Sequence, residues 1–282
     1  MKKVVLTGAT GLIGKEAVEP LKNNGFSVFC LSSKTCNILD EEAISNFIKS
    51  ICPEYLLHFA WVSGKDYLDN PQNERFVDSS MNLLRIFKEF GGKRAVFSGT
   101  CFEYDYKDSS LKEDDPLNPQ TLYAKSKVAL KEKATHYCLK NNISFVWGRI
   151  FYVFGRDERP ERLTAYIINS LKENKTAIIK YGQLKKDYMY TKDIAEAFVA
   201  ILKSNYTGVV NVCSGKGISL DDYATAIARK MKKENLLKIF NEETRQPISI
   251  IGNNDILYKT IGFRPRYDLD RALDEIINEN EL

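Results

Sequence analysis

The sequence has little histidine, no paired cysteine motif and no long hydrophobic run. Its two histidines are His58 and His136, and its six cysteines form no C-x2-C pair. We therefore expect neither a metal site nor a disulfide framework. No segment approaches the roughly 20 apolar residues that a membrane span needs. The apolar run at residues 4–6 is too short for a signal peptide. A soluble, cytoplasmic protein without a membrane partner is expected.

An excess of charge of one sign is also missing. The 282 residues include 41 Lys plus Arg and 37 Asp plus Glu, which gives a net charge of +4. The basic residues are scattered, whereas a nucleic-acid partner calls for a basic stripe. A small positive excess is compatible with a phosphorylated small molecule, and the 44% hydrophobic content is sufficient for an ordinary core.

Short apolar runs alternate with amphipathic stretches from the first residue onward. They predict strands at 4–6, 28–31, 55–59, 95–97 and 143–150, and helices at 12–24, 41–51, 73–90 and 121–140. This alternation predicts a parallel sheet covered on both faces. Such sheets bind ligands beyond the carboxyl ends of their strands, so the loops that follow the strands are where a site is expected.

After residue 150 the alternation is less regular. Short strands are predicted near 177–180 and 209–212, and helices near 161–174, 192–203, 219–233 and 269–279. We expect two tightly packed parts, residues 1–150 and a smaller α/β cap over 151–282. Some strands and helices of the cap are expected to return to the first part.

The first loop reads Thr7-Gly8-Ala9-Thr10-Gly11-Leu12-Ile13-Gly14, between a predicted strand and a predicted helix. Glycines there permit a tight turn and let the backbone approach a pyrophosphate, while the helix N-terminus offers unpaired N–H groups. A glycine turn without a ligand is the alternative. The strand–turn–helix context favours dinucleotide binding, which makes residues 1–150 a doubly wound Rossmann domain.

Three side chains suited to proton transfer follow this loop. Tyr123 and Lys127 are four residues apart, so they share one face of a helix. An ammonium beside a phenol favours the phenolate and lowers the phenol pKa from its usual value near 10. Thr100 ends the fourth predicted strand, where its hydroxyl can donate to a carbonyl oxygen or, alternatively, cap its own backbone. Together with the glycine loop, the three residues predict a catalytic site rather than a chance surface pair.

These motifs resemble those of the extended short-chain dehydrogenases/reductases, the NAD(P)-dependent epimerase/dehydratase family that acts on nucleotide sugars. The resemblance spans nearly the whole chain and includes residues 113–116, 148–155 and 182–188. It implies that Thr100, Tyr123 and Lys127 are catalytic and that a nicotinamide cofactor lies along the strand ends. The nearest likeness is to reductases of 4-keto nucleotide sugars.

The remaining site residues follow mainly from this resemblance. Those expected at the substrate are Tyr152, Arg162, Lys186 and Arg245, with Arg149 and Arg156 as further candidates for a substrate diphosphate. Tyr152 and Lys186 replace the usual Asn and Arg of the family. His58, inside an apolar strand, is interpreted as a packed core residue. The residues expected at the cofactor are Gly8, Thr10, Gly11, Leu12, Ile13, Gly14, Ser32, Ser33, Lys34, Asn37, Ile38, Phe59, Ala60, Trp61, Ser98, Tyr123 and Lys127.

Departures from the family narrow the reaction. Family dehydratases carry an Asp-Glu pair after the catalytic Thr, where this chain has Cys101 and Phe102. The epimerase-reductases that invert C3 and C5 use a cysteine at the position of Phe102. Hydride transfer at one carbon remains, as NAD(P)H-dependent reduction of a 4-keto nucleotide sugar or as C4 epimerisation with tightly bound NAD. A non-catalytic NAD(P)-sensing protein is a third hypothesis, but such a protein does not need the Thr–Tyr–Lys set.

The end of the second predicted strand bears on the choice of cofactor. NAD enzymes place an acidic residue there to accept from the ribose 2′-OH. This chain reads Leu31-Ser32-Ser33-Lys34 instead. Hydroxyls and a cation suit a 2′-phosphate, so NADP(H) is expected and NAD(H) is the alternative. In that alternative Lys34 extends into solvent.

The two longest predicted helices bear on assembly. Helices 73–90 and 121–140 carry more apolar surface than one sheet face is expected to cover, at Leu83, Leu84, Phe87, Phe90, Val128 and Leu130. In the family that the chain resembles, the equivalent helices often form a four-helix interface, so a homodimer is expected.

Overall fold

The computed structural model describes residues 1–107 and 109–278. Its helices are α1 (Gly14–Asn23), α2 (Glu41–Ile51), α3 (Gln72–Glu89), α4 (Leu122–Lys140), α5 (Leu163–Lys172), α6 (Thr191–Lys203), α7 (Leu220–Lys230) and α8 (Leu269–Asn278). Residue 279, included in the last predicted helix, lies outside the described residues. Among the helices of the described ranges, none is both long and apolar enough to cross a membrane.

Thirteen strands accompany these helices in the described ranges. They are β1 (Lys2–Thr7), β2 (Phe26–Leu31), β3 (Tyr55–His58), β4 (Arg94–Thr100), β5 (Ser144–Ile150), β6 (Tyr152–Phe154), β7 (Ala177–Ile179), β8 (Lys185–Lys186), β9 (Tyr188–Tyr190), β10 (Gly208–Val212), β11 (Ile218–Ser219), β12 (Leu237–Ile239) and β13 (Ser249–Ile250).

Six strands form one parallel sheet in the order β10-β5-β4-β3-β1-β2. Strand β1 lies between β2 and β3, which are its next two strands in sequence. The chain therefore leaves β1 toward one side of the sheet and returns to the other. This reversal opens a crevice beyond the carboxyl ends of β1 and β3, where sheets of this kind bind ligands.

Helices cover both faces of this sheet. Val4 and Leu6 of β1 pack on the face covered by α1 and α6, whereas Val5 packs on the face covered by α2, α3 and α4. All three valine and leucine side chains are fully buried, as is typical of parallel strands enclosed between two helical layers. The predicted doubly wound α/β fold of Rossmann type is confirmed.

The C-terminal half builds a separate core and also returns to the sheet. Helices α5, α7 and α8 enclose this core with the two-stranded sheet β7–β12. Strand β10, however, extends the main sheet beside β5, and α6 packs against α1. The division at residue 150 into a nucleotide-binding and a substrate-binding part stays a prediction.

The apolar residues behind the dimer expectation are mostly covered within one chain. Leu83, Leu84, Phe87 and Leu130 are fully buried between α3, α4 and the sheet. Phe90 packs at the edge of the same core. The expectation that these side chains exceed what one sheet face can cover is therefore wrong for the four buried ones. The homodimer now rests on the family resemblance.

Candidate active site

A cavity of about 700 Å³ opens beyond the carboxyl ends of the central strands. Its volume is within the range of small-molecule sites. Predicted site residues from both halves of the chain line it: Gly8, Thr10, Gly11, Leu12, Ile13, Gly14, Ser32, Ser33, Asn37, Ile38, Phe59, Ala60, Trp61, Ser98, Thr100, Tyr123, Lys127, Tyr152 and Arg162. The structure describes Lys34, Lys186 and Arg245, but they are not among the residues that line this cavity.

The glycine loop brings the start of α1 against β1 and β3. Gly8 has a φ of +67°, and a Cβ there would lie 2.8 Å from the backbone nitrogen of Ala60. A Cβ on Gly14 would lie 2.1 Å from the carbonyl oxygen of Gly8, so only glycine permits this approach.

Ile13 occupies the N-cap position of α1, and in the described part of the chain its apolar side chain makes no capping hydrogen bond. The N–H groups of Lys15 and Glu16 in this turn donate to the carbonyl oxygens of Gly11 and Ile13. The positive end of the helix dipole and the close approach of the glycine backbone therefore fit the pyrophosphate of a dinucleotide cofactor.

The start of α4 fixes Tyr123 at the cavity. Thr121 caps this helix, its hydroxyl accepting from the backbone N–H of Ala124. The backbone N–H of Tyr123 donates to the carbonyl oxygen of Leu68 at 2.8 Å, which ties the helix to the loop after β3. The Tyr123 ring meets the edges of neighbouring aromatic rings, with the Tyr67 ring centroid 5.1 Å away.

Lys127 lies one turn further along α4 and is buried. Its Nζ donates to the carbonyl oxygen of Ser98 at 2.8 Å and lies 3.8 Å from the centre of the Trp61 ring. Burial lowers the pKa of Lys127 to about 7, and the negative charge of Glu103 opposes that change. Lys127 therefore changes its protonation state near neutral pH.

The phenol of Tyr123 differs from the expectation drawn from its spacing to Lys127. Burial raises the Tyr123 pKa above its ordinary value, and hydrogen bonding with Thr100 opposes the increase. The sequence predicts that Lys127 lowers this pKa. In the structure Lys127 Nζ is 5.8 Å from the Tyr123 ring centroid and is held by Ser98 and Trp61 instead.

Thr100 ends β4 and also begins a single 3₁₀ turn, Cys101–Glu103. Its hydroxyl oxygen accepts from the N–H of Phe102 at 3.3 Å, while its backbone N–H donates to Glu103 at 2.9 Å. The two alternatives considered for Thr100 thus coexist. The hydroxyl caps its own turn and still lines the cavity beside Tyr123.

His58 is a buried member of the sheet, as predicted. Its ring nitrogens hydrogen bond to Thr7 at 2.7 Å and to Ser80 at 2.9 Å. Burial lowers its pKa to about 3. The imidazole is therefore neutral and serves packing.

The end of β2, which the sequence predicts to select the cofactor, is only partly directed at the cavity. Ser32 is buried, and its hydroxyl hydrogen bonds to Thr35 at 3.1 Å. Ser33 is exposed and lines the cavity together with Asn37. Lys34 is exposed and outside that lining, which corresponds to the alternative in which it extends into solvent.

The expected substrate residues separate into two groups. Tyr152 and Arg162 line the cavity. Lys186 is buried behind Tyr152, with its Nζ 5.4 Å from the centre of that ring, and Arg245 is exposed in the segment between β12 and β13. Arg149 is not a diphosphate candidate, because its Nε pairs with Glu103 at 2.7 Å and both side chains are buried.

Several cavity residues were not identified from the sequence, among them Tyr67, Glu158 and Arg159. Tyr67 follows β3, and Glu158 and Arg159 lie in the loop between β6 and α5. Glu158 accepts from the N–H of Gly155 at 2.8 Å, and burial raises its pKa to about 7. Arg159 shares the R-x-x-R spacing with Arg162, a signal that could have identified it. No local pattern marks Glu158 or Tyr67.

Comparisons with known proteins agree with this geometry. Residues 4–213 match the sequence model of the NAD dependent epimerase/dehydratase family. The spore coat polysaccharide biosynthesis protein SpsK of Bacillus subtilis is 27% identical, covering 99% of this chain and 98% of its own length. CDP-abequose synthase of Salmonella typhimurium is 23% identical, covering 97% of both chains. UDP-glucose 4-epimerase of Thermotoga maritima, solved with UDP-glucose, has a TM-score of 0.90 at 18% identity and covers 100% and 99% of the two chains.

Proposed function

The chain belongs to the NAD dependent epimerase/dehydratase family, and we propose that it is an NAD(P)H-dependent reductase of a 4-keto nucleotide sugar. The observation that carries this proposal is the convergence of Thr100, Tyr123 and Lys127 at one cavity that the glycine loop also lines. A nucleotide-binding turn and a proton-transfer set in one space suit hydride transfer coupled to proton transfer.

In this proposal Tyr123, Thr100 and Lys127 each have a separate role in the reduction. Tyr123 gives its phenolic proton to the oxygen of the sugar carbonyl, and Thr100 donates a hydrogen bond to the same oxygen. Lys127 holds positive charge near the phenol and the cofactor. When bound, the nicotinamide supplies the hydride. The positive end of α1 and the glycine backbone of the loop before it would hold the cofactor pyrophosphate.

The nucleotide part of the substrate is assigned to the cap side of the cavity. Arg162 lies immediately before α5, and Arg159 and Arg162 both line the cavity. Guanidinium groups bind diphosphates through paired hydrogen bonds. The name of the relative CDP-abequose synthase supports a nucleotide-linked sugar as the substrate class.

A C4 epimerase is the second candidate, because the same three residues can act in oxidation and in re-reduction at one carbon. UDP-glucose 4-epimerase of Lacticaseibacillus casei, 25% identical over 99% of this chain, favours it. Mass spectrometry of the small molecules that copurify with the protein separates the two candidates. Tightly held NAD supports the epimerase, and an empty or NADP-loaded site supports the reductase.

The proton path is tested by Tyr123→Phe. This variant removes the phenolic hydroxyl and keeps the ring, so cofactor affinity is expected to stay nearly unchanged. Turnover of a panel of 4-keto nucleotide sugars, followed by nicotinamide absorbance, is expected to fall on the order of 10²- to 10⁴-fold. Tyr206→Phe is the matched control, because the Tyr206 hydroxyl donates to Val209 at the far edge of the sheet. Near-normal turnover by Tyr123→Phe contradicts the mechanism.

A further inference from the structure

Behind the cavity, a buried carboxylate connects the proposed catalytic residues to the sheet. The side chains of Glu103 and Arg149 are 0% and 1% exposed. Glu103 Oε2 accepts from Arg149 Nε at 2.7 Å, and Glu103 Oε1 accepts from the indole N–H of Trp147 at 3.0 Å. A carboxylate with this little exposure is tolerated only when its charge is paired and its oxygens are hydrogen bonded.

The same carboxylate fixes the backbone of Thr100. Glu103 Oε1 also accepts from the Thr100 N–H at 2.9 Å, and the Thr100 hydroxyl accepts from Phe102. This reciprocal capping box sets the direction of the Thr100 side chain at the end of β4. Gly99 makes the approach possible, because a Cβ there would lie 2.6 Å from Glu103 Oε1 and 2.1 Å from Trp147 Nε1.

Glu103 also faces Lys127 across one indole ring. Trp147 donates to Glu103, and Lys127 Nζ lies 5.9 Å from the centre of the same ring. The other titratable or charged groups around this point include Cys101 and Tyr104 near Glu103 in the chain, His58 on β3, Tyr123 and Lys131 on α4, Arg149 on β5, and Glu113, which faces Arg149. Burial raises the pKa values of Cys101, Tyr104 and Tyr123, which keeps these groups protonated, and His58, Lys131 and Arg149 carry no negative charge in either protonation state. Glu103 is therefore the negative charge that acts on Lys127.

We propose that Glu103, held by Arg149, is a positioning residue of the active site that fixes Thr100 and supplies the buried negative charge facing Lys127. Its two effects are separable, because one depends on the reach of the side chain and the other on its charge. The inference rests on the proposed function where it concerns turnover. Its electrostatic part can be measured on the cofactor-bound protein without any substrate.

Glu103→Gln tests the charge. The amide keeps one acceptor but presents a donor to either Arg149 or Trp147, and it removes the negative charge. We expect kcat to fall about 10- to 100-fold because the reacting groups are misplaced, with KM and cofactor affinity changed less than about threefold. The alkaline limb of the kcat/KM profile is expected to move to lower pH by about one unit, because Lys127 loses its proton more readily without the opposite charge.

Two further variants separate this role from simple structural damage. Glu113→Gln is the matched control. Glu113 is partly buried, its carboxylate accepts from the N–H of Asn211, and its backbone carbonyl oxygen accepts from Arg149. It makes no hydrogen bond to Thr100 in the described ranges, so its pH profile is expected to equal that of the wild type. Glu103→Asp keeps the charge but shortens the side chain, so kcat is expected to fall while the alkaline limb stays in place.

A substrate-free measurement keeps the inference independent of the assigned reaction. In the cofactor-bound protein, NMR titration of labelled lysine side chains is expected to give a lower midpoint for Lys127 in Glu103→Gln than in the wild type. The Lys127→Arg variant assigns the signal. An unchanged midpoint together with a wild-type pH profile overturns the proposal. A shifted midpoint without turnover of any nucleotide sugar contradicts the proposed function alone. If Glu103→Gln does not fold, wild-type kcat in Glu103→Asp overturns the positioning role.

Discussion

At the scale of single residues, sequence spacing identified the side chains whose role depends on local geometry. Tyr123 and Lys127 share a helix face because they are four residues apart, and Thr100 was recognised because it ends a strand. Glu103 could not be assigned in this way. Its partner Arg149 lies 46 residues later on β5, so the pair exists only after the sheet has formed. Spacing also failed for the Tyr123 pKa. Burial raises this pKa, and the Lys127 ammonium donates to the Ser98 carbonyl oxygen rather than to the phenol.

The choice between the two cofactors is a residue-scale prediction. Wild type is expected to prefer NADPH over NADH, because no acid precedes Asp40 after β2 and Ser33 lies open to the cavity. Ser32→Asp places a carboxylate where a 2′-phosphate would lie and offers an acceptor to a free 2′-OH. It is expected to reverse or abolish the preference. A lost charge-assisted hydrogen bond costs roughly 1.5–3 kcal/mol, about one to two decades in binding.

Cofactor titrations at fixed salt measure this preference, because the charge effect is screened by ions. Ser50→Asp is the control, since it adds the same charge on an exposed position of α2. It is expected to leave both affinities unchanged. Equal binding of NADH and NADPH by the wild type shows that the missing acid does not select the cofactor.

At the scale of elements, the sequence predicted long, periodic elements well and short ones poorly. Helix 41–51 was predicted with its observed ends, and β4 was found although it is longer than its apolar run. The two-residue strands β8, β11 and β13 were missed, whereas the three-residue strand β7 was predicted. A period of two cannot be recognised over two residues, and these strands form only because segments distant in sequence meet.

The end of α6 is stabilised by a residue from the first half of the chain. Arg94, at the start of β4, is buried and donates to the carbonyl oxygens of Ile201, Leu202 and Tyr206 at 2.7–2.9 Å. Arg94→Met keeps much of the volume but leaves these acceptors without their donor. The free energy of unfolding is expected to decrease by about 3 kcal/mol.

Urea denaturation of the two neighbouring variants tests this contribution. Lys93→Met removes an exposed ion pair to Glu54 and is expected to cost less than about 1 kcal/mol. Equal unfolding midpoints for Arg94→Met and Lys93→Met mean that the guanidinium does not hold α6 to the sheet.

At the scale of the whole molecule, the expected homodimer rests on the family resemblance, and the surface that would form its interface is charged. The core of one chain buries Leu83, Leu84, Phe87 and Leu130. The solvent-facing sides of α3 and α4 are therefore formed by other residues. Asp78 on α3 and Lys133 on α4 lie 3.8 Å apart on this surface, and both are largely exposed. A twofold interface there would bring each helix pair against its own copy, so charge pairs would cross between the copies.

We predict a homodimer at micromolar concentration that weakens as salt is raised, because exposed charges are screened within about 10 Å at 0.1 M ionic strength. Light scattering at low and high salt measures the mass directly. Lys133→Glu places like charge beside Asp78 and is expected to shift the population toward monomer. Lys238→Glu, on the exposed side of β12, carries the same change far from these helices and is expected to remain dimeric. A wild-type monomer at low salt contradicts the predicted dimer. If both variants keep the mass of a dimer, the interface lies away from Lys133.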